Sequence, residues 1–163
     1  MKLQVEITRQ DFSDFMMHHF VQNRLGKTVA IGLACLIGLL YFSNKDKPDF
    51  DFGINLITAA VYCVIYAALI YFPLRNTRKI PAENGAFLGV KEYDFTEHEI
   101  LCADKDASGR YNWSAVKKLT ESKKAFYLYV DNNMAFVIPK RALHNEAGVE
   151  AFRAYVKERT GLN

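Results

Sequence analysis

Residues Ile54–Leu74, INLITAAVYCVIYAALIYFPL, run for about twenty positions without a formal charge. A helix of that length, rising about 1.5 Å per residue, spans a hydrocarbon layer about 30 Å thick. The stretch also divides the chain. Apolar residues crowd before and within it, and a sequence of ordinary globular texture follows. A mean hydropathy of -0.07 conceals that split.

Upstream lies a second uncharged block, Thr28–Ser43, TVAIGLACLIGLLYFS. It is short enough to be read as a buried core helix. Leu25, Gly26 and a snorkelling Lys27 extend it by a turn, and the longer block close behind favours a second span. The connector Asn44–Gly53, NKDKPDFDFG, is too short for anything but an antiparallel hairpin of 28–43 and 54–74. Arg24 and Lys27 flank one outer end; Arg75, Arg78 and Lys79 flank the other. Basic flanks place both ends in the cytoplasm, although Lys45 and Lys47 in the connector weaken the contrast. Tyr41, Phe42, Tyr71 and Phe72 stand where interfacial aromatics belong. Ala30, Ala34 and Gly38, and Ala59, Cys63 and Ala67, recur at a spacing that lets two helices approach closely. No Asp, Glu, Lys, Arg or His falls inside either span, which argues against a transporter.

The N-terminal part, 1–27, carries two elements. In Lys2–Ile7 the apolar Leu3, Val5 and Ile7 alternate with Lys2, Gln4 and Glu6, a half-buried strand pattern. Thr8 is a good helix cap with Asp11 three residues on. From Arg9 to Leu25, Phe12, Phe15, Met16, Phe20 and Val21 keep nearly helical spacing. Packing on protein is the preferred reading, because the helix is too acidic for a typical binder of anionic lipid. Glu6 and Asp11 interrupt any signal-peptide core, so no cleavage is expected.

The chain has 163 residues, half of them hydrophobic, and a net charge of +3. That charge is too small, and too scattered, to argue for nucleic acid. Cys35, Cys63 and Cys102 have no zinc-type spacing and read as reduced thiols.

After Pro81 the periodicity changes. Strands are predicted at Phe87–Phe95, Glu99–Cys102, Arg110–Trp113, Ala115–Thr120, Ala125–Val130 and Met134–Ile138, separated by turn-forming residues. Asn145 then caps a helix from Glu146 to Arg159 whose stripe is Val149, Phe152 and Val156, with Gly161 past its end. Six short strands closed by a C-terminal amphipathic helix suggest a small curved sheet or split barrel, the pleckstrin-homology-like (PH-like) layout. The strand Lys2–Ile7 is expected to pair with an edge of this sheet, since an open edge invites association. The fold class is therefore α+β, a membrane protein with a two-helix hairpin (28–74) and a PH-like domain at 82–163.

The runs W-S-A-V-K-K-L-T-E (Trp113–Glu121), F-Y-L-Y (Phe126–Tyr129) and I-P-K-R-A-L (Ile138–Leu143) resemble the YcxB-like family of bacterial membrane proteins. The order of parts resembles that family too, over nearly the whole chain. Leu143 stands where the family often has an aromatic residue. The resemblance implies an N-terminal segment, two transmembrane helices, a C-terminal PH-like domain and an inner-membrane location. It implies no catalytic residue and no cofactor.

The residues themselves offer little chemistry. His98 in H-E-I-L-C lacks the second histidine of a zinc helix. His18 and His19 are adjacent and point about 100° apart. Ser114 has no nucleophile elbow. Asn112–Trp113–Ser114 spells a glycosylation sequon that a cytoplasmic domain would never present to the enzyme. Gly85 and Gly89 form no phosphate loop. Trp113 reads as a core anchor rather than an exposed binding aromatic. Lys117, Lys118, Lys123, Lys124, Lys140 and Arg141 are the domain's basic concentration. Two readings stay open for them: a solvated face, or a surface for anionic lipid or a partner. The expected function is a membrane-anchored, non-catalytic module binding a protein or the anionic membrane surface, with no metal and no cofactor. The alternative is an immunity-type or regulatory subunit docking to a specific membrane protein. Partners are the bilayer and a protein or a second copy.

Overall fold

A computed structural model describes residues 1–47, 51–79, 81 and 87–162. The connector residues 48–50, Gly85 and the expected domain start at 82 lie outside the described residues. The elements are β1 (Lys2–Ile7), α1 (Arg9–Asn23), α2 (Leu25–Asn44), α3 (Phe52–Asn76), β2 (Gly89–Phe95), β3 (Glu99–Ala103), β4 (Ser108–Asn112), β5 (Lys118–Glu121), β6 (Ala125–Tyr129), β7 (Ala135–Pro139) and α4 (Glu146–Thr160). The chain is α+β, with two long apolar helices and two small antiparallel sheets.

It divides into two compact units. Met1–Phe15 and Arg78–Asn163 make one; Met16–Thr77 makes the other. The helical unit is thus inserted into the connection between β1 and β2. β1 and the first half of α1 pack with the C-terminal part of the chain.

In the β unit, the four-stranded sheet runs β1-β2-β3-β4 and the three-stranded sheet runs β5-β6-β7. The expected pairing of Lys2–Ile7 is observed: Lys2 faces Asp94, Val5 faces Lys91 and Ile7 faces Gly89 across β1 and β2. Its inward residues Val5 and Ile7 are buried in the core. Phe152 of α4 closes that core, with its ring 5.2 Å from both Phe95 and Phe126. Full burial of side chains this size contributes about 1.5–3 kcal/mol each. Asn145 caps α4 by accepting from the Gly148 N–H at 2.8 Å. Gly161 ends it at φ 66°, a left-handed conformation that costs glycine nothing. Trp113 is a core anchor: it is 6% exposed and its indole N–H donates to the Thr96 carbonyl. The expected strand ending at Trp113 stops at Asn112 instead, because Trp113–Ala115 form a 3-10 turn that folds the ring inward.

All five residues of β6 are buried. Phe126 and Leu128 face the core, as alternation requires. Tyr127 and Tyr129 face the other way and pack on Phe15 of α1, with ring centroids 5.5 and 5.9 Å apart. The first half of α1 therefore packs on protein.

In the helical unit, α2 and α3 are long and apolar enough to cross a membrane. Their outward side chains are bare: Ile37 is 68% exposed and Val64 70%. They pack antiparallel along a seam different from the expected one. Ala30, Ala34, Cys63 and Ala67 are exposed. The α2 seam runs instead through Thr28, Gly32, Leu36, Leu40 and Asn44, spaced by four. Gly32 permits the close approach there, since a Cβ would stand 2.5 Å from the Tyr66 ring. Tyr62 donates to the Gly32 carbonyl at 2.9 Å and Tyr66 to the Thr28 carbonyl at 2.6 Å. At the other end of the seam, Asn44 and Asn55 exchange amide hydrogen bonds of 2.6 and 3.1 Å. Polar pairs of this kind hold helices together where water is absent. All three cysteines are free thiols.

Candidate functional site

The six predicted basic residues do not form one surface. Lys117 and Lys118 sit at the start of β5, Lys123 and Lys124 at its far end in the turn to β6. Three residues of strand separate the groups by about 10 Å. Lys140 and Arg141 follow β7 and join the second group: the Lys140 N–H donates to the Lys124 carbonyl at 2.8 Å.

Most of that second group is engaged inside the fold. Lys124 pairs with Asp14 of α1 at 2.8 Å. Lys140 pairs with Glu121 at 2.5 Å, and its ammonium lies 5.3 Å from the centre of the Phe126 ring. Arg153 of α4 grips the same Glu121 carboxylate through Nε and Nη2 at 2.8 and 2.6 Å. The Arg153 bonds, with Lys140 adding to them, hold the Glu121 carboxyl down at about 2. Arg141 forks onto Asp11, 2.6 Å to each carboxylate oxygen, and donates to the Glu6 carbonyl at 2.8 Å. Burial alone would push the Asp11 carboxyl up; the bonds from Arg141 and Thr8 outweigh it and hold the group below the usual range. Of the rest, Lys117 is exposed and reaches the Ser114 carbonyl at 3.1 Å. Lys118 lies 5.8 Å from the Tyr129 ring centre. Lys123 is exposed. The acids that use up these cations lie on α1 and β5, and two of the three are more than a hundred residues away along the chain.

A second feature is a groove of about 750 Å³ bounded by β1 to β4. Its outward face is set by register: Lys2 lies opposite Asp94, Asp94 opposite Leu101, and Leu101 opposite Arg110. Leu101 and Ala103 provide an apolar floor; Gln4, Glu92, Asp94, Ser108 and Arg110 provide a mixed polar rim. Arg110 was not among the predicted basic residues. Its only sequence signal is alternation with Gly109 and Tyr111, which puts it on the outer face of an edge strand.

Lys91, Tyr93, Cys102 and Asp104 meet on the inner side of the same sheet. Lys91 bonds Asp104 at 2.5 Å. That bond, together with the N–H groups of Asp106 and Ala107, holds the Asp104 carboxyl at about 2. Burial pushes the Cys102 thiol up, which makes it a poor nucleophile. Among the described residues, no group of three metal-ligating side chains comes together. His98 is exposed in its turn.

Residues 95–156 match the family model described as YcxB-like protein. The matched part begins at the end of β2 and stops inside α4, so it covers less than half of the chain. The three quoted runs, from Trp113 to Leu143, all fall inside it. No curated protein and no solved structure matches the chain.

Proposed function

We propose that the chain is a membrane-anchored, non-catalytic binding module whose ligand is a protein. In this reading α2 and α3 cross a bacterial inner membrane, and the β unit, a PH-like domain, works on the cytoplasmic side. Sheets of four and three strands with a C-terminal helix support the PH-like layout. The basic flanks Arg24, Lys27, Arg75 and Lys79 support the orientation. The observation that carries the choice of ligand is where the cations go. Asp14, Glu121 and Asp11 neutralise Lys124, Lys140 and Arg141 within the fold. A lipid surface binds through cations left uncompensated, at about 1 kcal/mol each. Too few remain together here for that.

Two measurements on the full chain test this. Amide exchange of residues 117–124 is compared in nanodiscs of neutral and of anionic lipid. No difference is expected; salt-sensitive protection in anionic discs overturns the choice of protein over lipid. Photocrosslinking in intact cells, from a photoreactive residue at position 108, is expected to give a discrete protein adduct. Absence of any adduct overturns the module reading. An integral membrane protein in that adduct selects the immunity-type or regulatory version.

A further inference from the structure

Main-chain groups along β4 alternate between facing β3 and facing away. The turn that closes β3 and β4 fixes the phase, because the Asp104 N–H bonds the Ala107 carbonyl at 2.8 Å. Counting along the ladder, Gly109 and Tyr111 direct their N–H and C=O groups to Cys102 and Ile100. Ser108, Arg110 and Asn112 therefore direct theirs out of the sheet. Among the described residues, no hydrogen bond reaches these groups.

The opposite edge of the same sheet is managed differently. There the phase is set by the Phe95 N–H bonding the Met1 carbonyl. The outward residues of β1 are Lys2, Gln4 and Glu6. Arg141 caps the Glu6 carbonyl at 2.8 Å, and β7 packs alongside. The β1 edge is thus partly covered, whereas among the described residues no hydrogen bond covers β4.

The devices that usually blunt an edge are mostly absent from β4. It has no proline and no bulge, and it runs five residues, SGRYN. On the inner face the Tyr111 ring folds over Gly109, within 3.1 Å of where a Cβ would stand, so an apolar residue of an added strand would lie beside that ring. On the outer face Arg110 lies opposite Leu101, so no acid stands directly across from it in the neighbouring strand. Arg110 is exposed and is the one charged residue of the strand. A second copy pairing antiparallel about Arg110 would set two guanidiniums opposite each other, which is destabilising. The same charge favours a strand that carries a carboxylate at that place.

We infer that β4 accepts an extended, acidic segment of a partner protein as a fifth strand, with a Glu or Asp of that segment opposite Arg110 and apolar residues on either side of it. Main-chain bonds to Ser108, Arg110 and Asn112 supply affinity, and Arg110 supplies selection. This rests on the protein-binding reading above.

The test uses the full chain in detergent and two synthetic peptides, one alternating Val and Glu, the other alternating Val and Lys. The acidic peptide is expected to bind and to slow amide exchange at Ser108, Arg110 and Asn112. Asn112 has φ -65°, the value proline imposes, and its N–H points outward, so Asn112→Pro leaves the fold intact. It should weaken the acidic peptide about tenfold by removing a bond and crowding the edge. Arg110→Glu should weaken it about fivefold and admit the basic peptide instead. Equal binding of both peptides, no protection at the three amides, or unchanged affinity in Asn112→Pro overturns the inference. So does protection that rises with protein concentration when no peptide is present, since that marks self-pairing. In cells, an adduct formed equally by Asn112→Pro overturns the edge and spares the module reading; absence of any wild-type adduct overturns both.

Discussion

Asp11 in the first turn of α1 and Arg141, 130 residues further along the chain, hold each other through two bonds of 2.6 Å. Thr8 completes the site by donating its N–H and hydroxyl to Asp11 at 2.8 and 2.6 Å. The two partners are unequally placed. The Asp11 side chain is 8% exposed and that of Arg141 55%. Removing Arg141 strands a buried carboxylate, whereas neutralising Asp11 leaves a guanidinium that water can reach. Arg141→Ala should therefore cost about 2 kcal/mol and Asp11→Asn about 1 kcal/mol. Trp113, the single tryptophan, lies in the core of the same unit and reports its urea unfolding by fluorescence.

A chain reduced to residues 87–163 lacks β1. It loses Val5 and Ile7 from the core and opens the edge of β2. It should aggregate when expressed alone. A fusion of residues 1–15 to 87–163 through a short flexible linker restores the strand and should give a monomer. Phe12 and Phe87, whose rings lie 5.7 Å apart, show that the join need not be long. Size-exclusion chromatography of both proteins checks this.

Gly32→Ala should weaken the hairpin by about 1 kcal/mol, because Tyr66 must swing off the Thr28 carbonyl to admit the methyl group. In a Tyr66→Ala background the same substitution should cost almost nothing. Near-UV circular dichroism of the stacked Tyr62 and Tyr66 during SDS titration measures both cases. Equal costs in the two backgrounds would contradict the close approach.

Acid should weaken the β unit in a defined window. A carboxyl whose folded value lies below its unfolded value stabilises the fold above the unfolded value. That contribution is lost as pH falls through the folded value. Glu121 is held at about 2 against an ordinary 4.5, and Asp104 at about 2 against 3.8. Stability should decline below pH 4.5, and these contributions should be gone by pH about 2. Arg153→Gln removes the larger support of Glu121 and should flatten the decline. Urea midpoints measured against pH by Trp113 fluorescence give both curves.

The strands are readable from their alternation, and both long helices from apolar runs free of charge. Alternation in Lys2–Ile7 and Ala125–Tyr129, and the capping residues Asn145 and Gly161, are local signals. What stayed hidden depends on partners far along the chain. Nothing near Arg141 announces Asp11, and nothing near Lys140 announces Arg153. Small-residue spacing alone does not locate the hairpin seam. The structure combines one glycine with tyrosines and asparagines that bond across it, so the seam lies two residues from the Ala30–Ala34 frame. The full burial of β6 was hidden for the same reason: its second cover, Phe15, comes from the other side of the inserted helices.

That insertion imposes a schedule on biosynthesis. Ile7 leaves the ribosome long before Gly89, its partner across the ladder. At ordinary translation speeds the wait is roughly ten seconds. Throughout it, Leu3, Val5 and Ile7 present an unclaimed apolar row while two greasy helices emerge behind them. The newborn N-terminus must be shielded, or kept from wandering, until the remaining strands arrive.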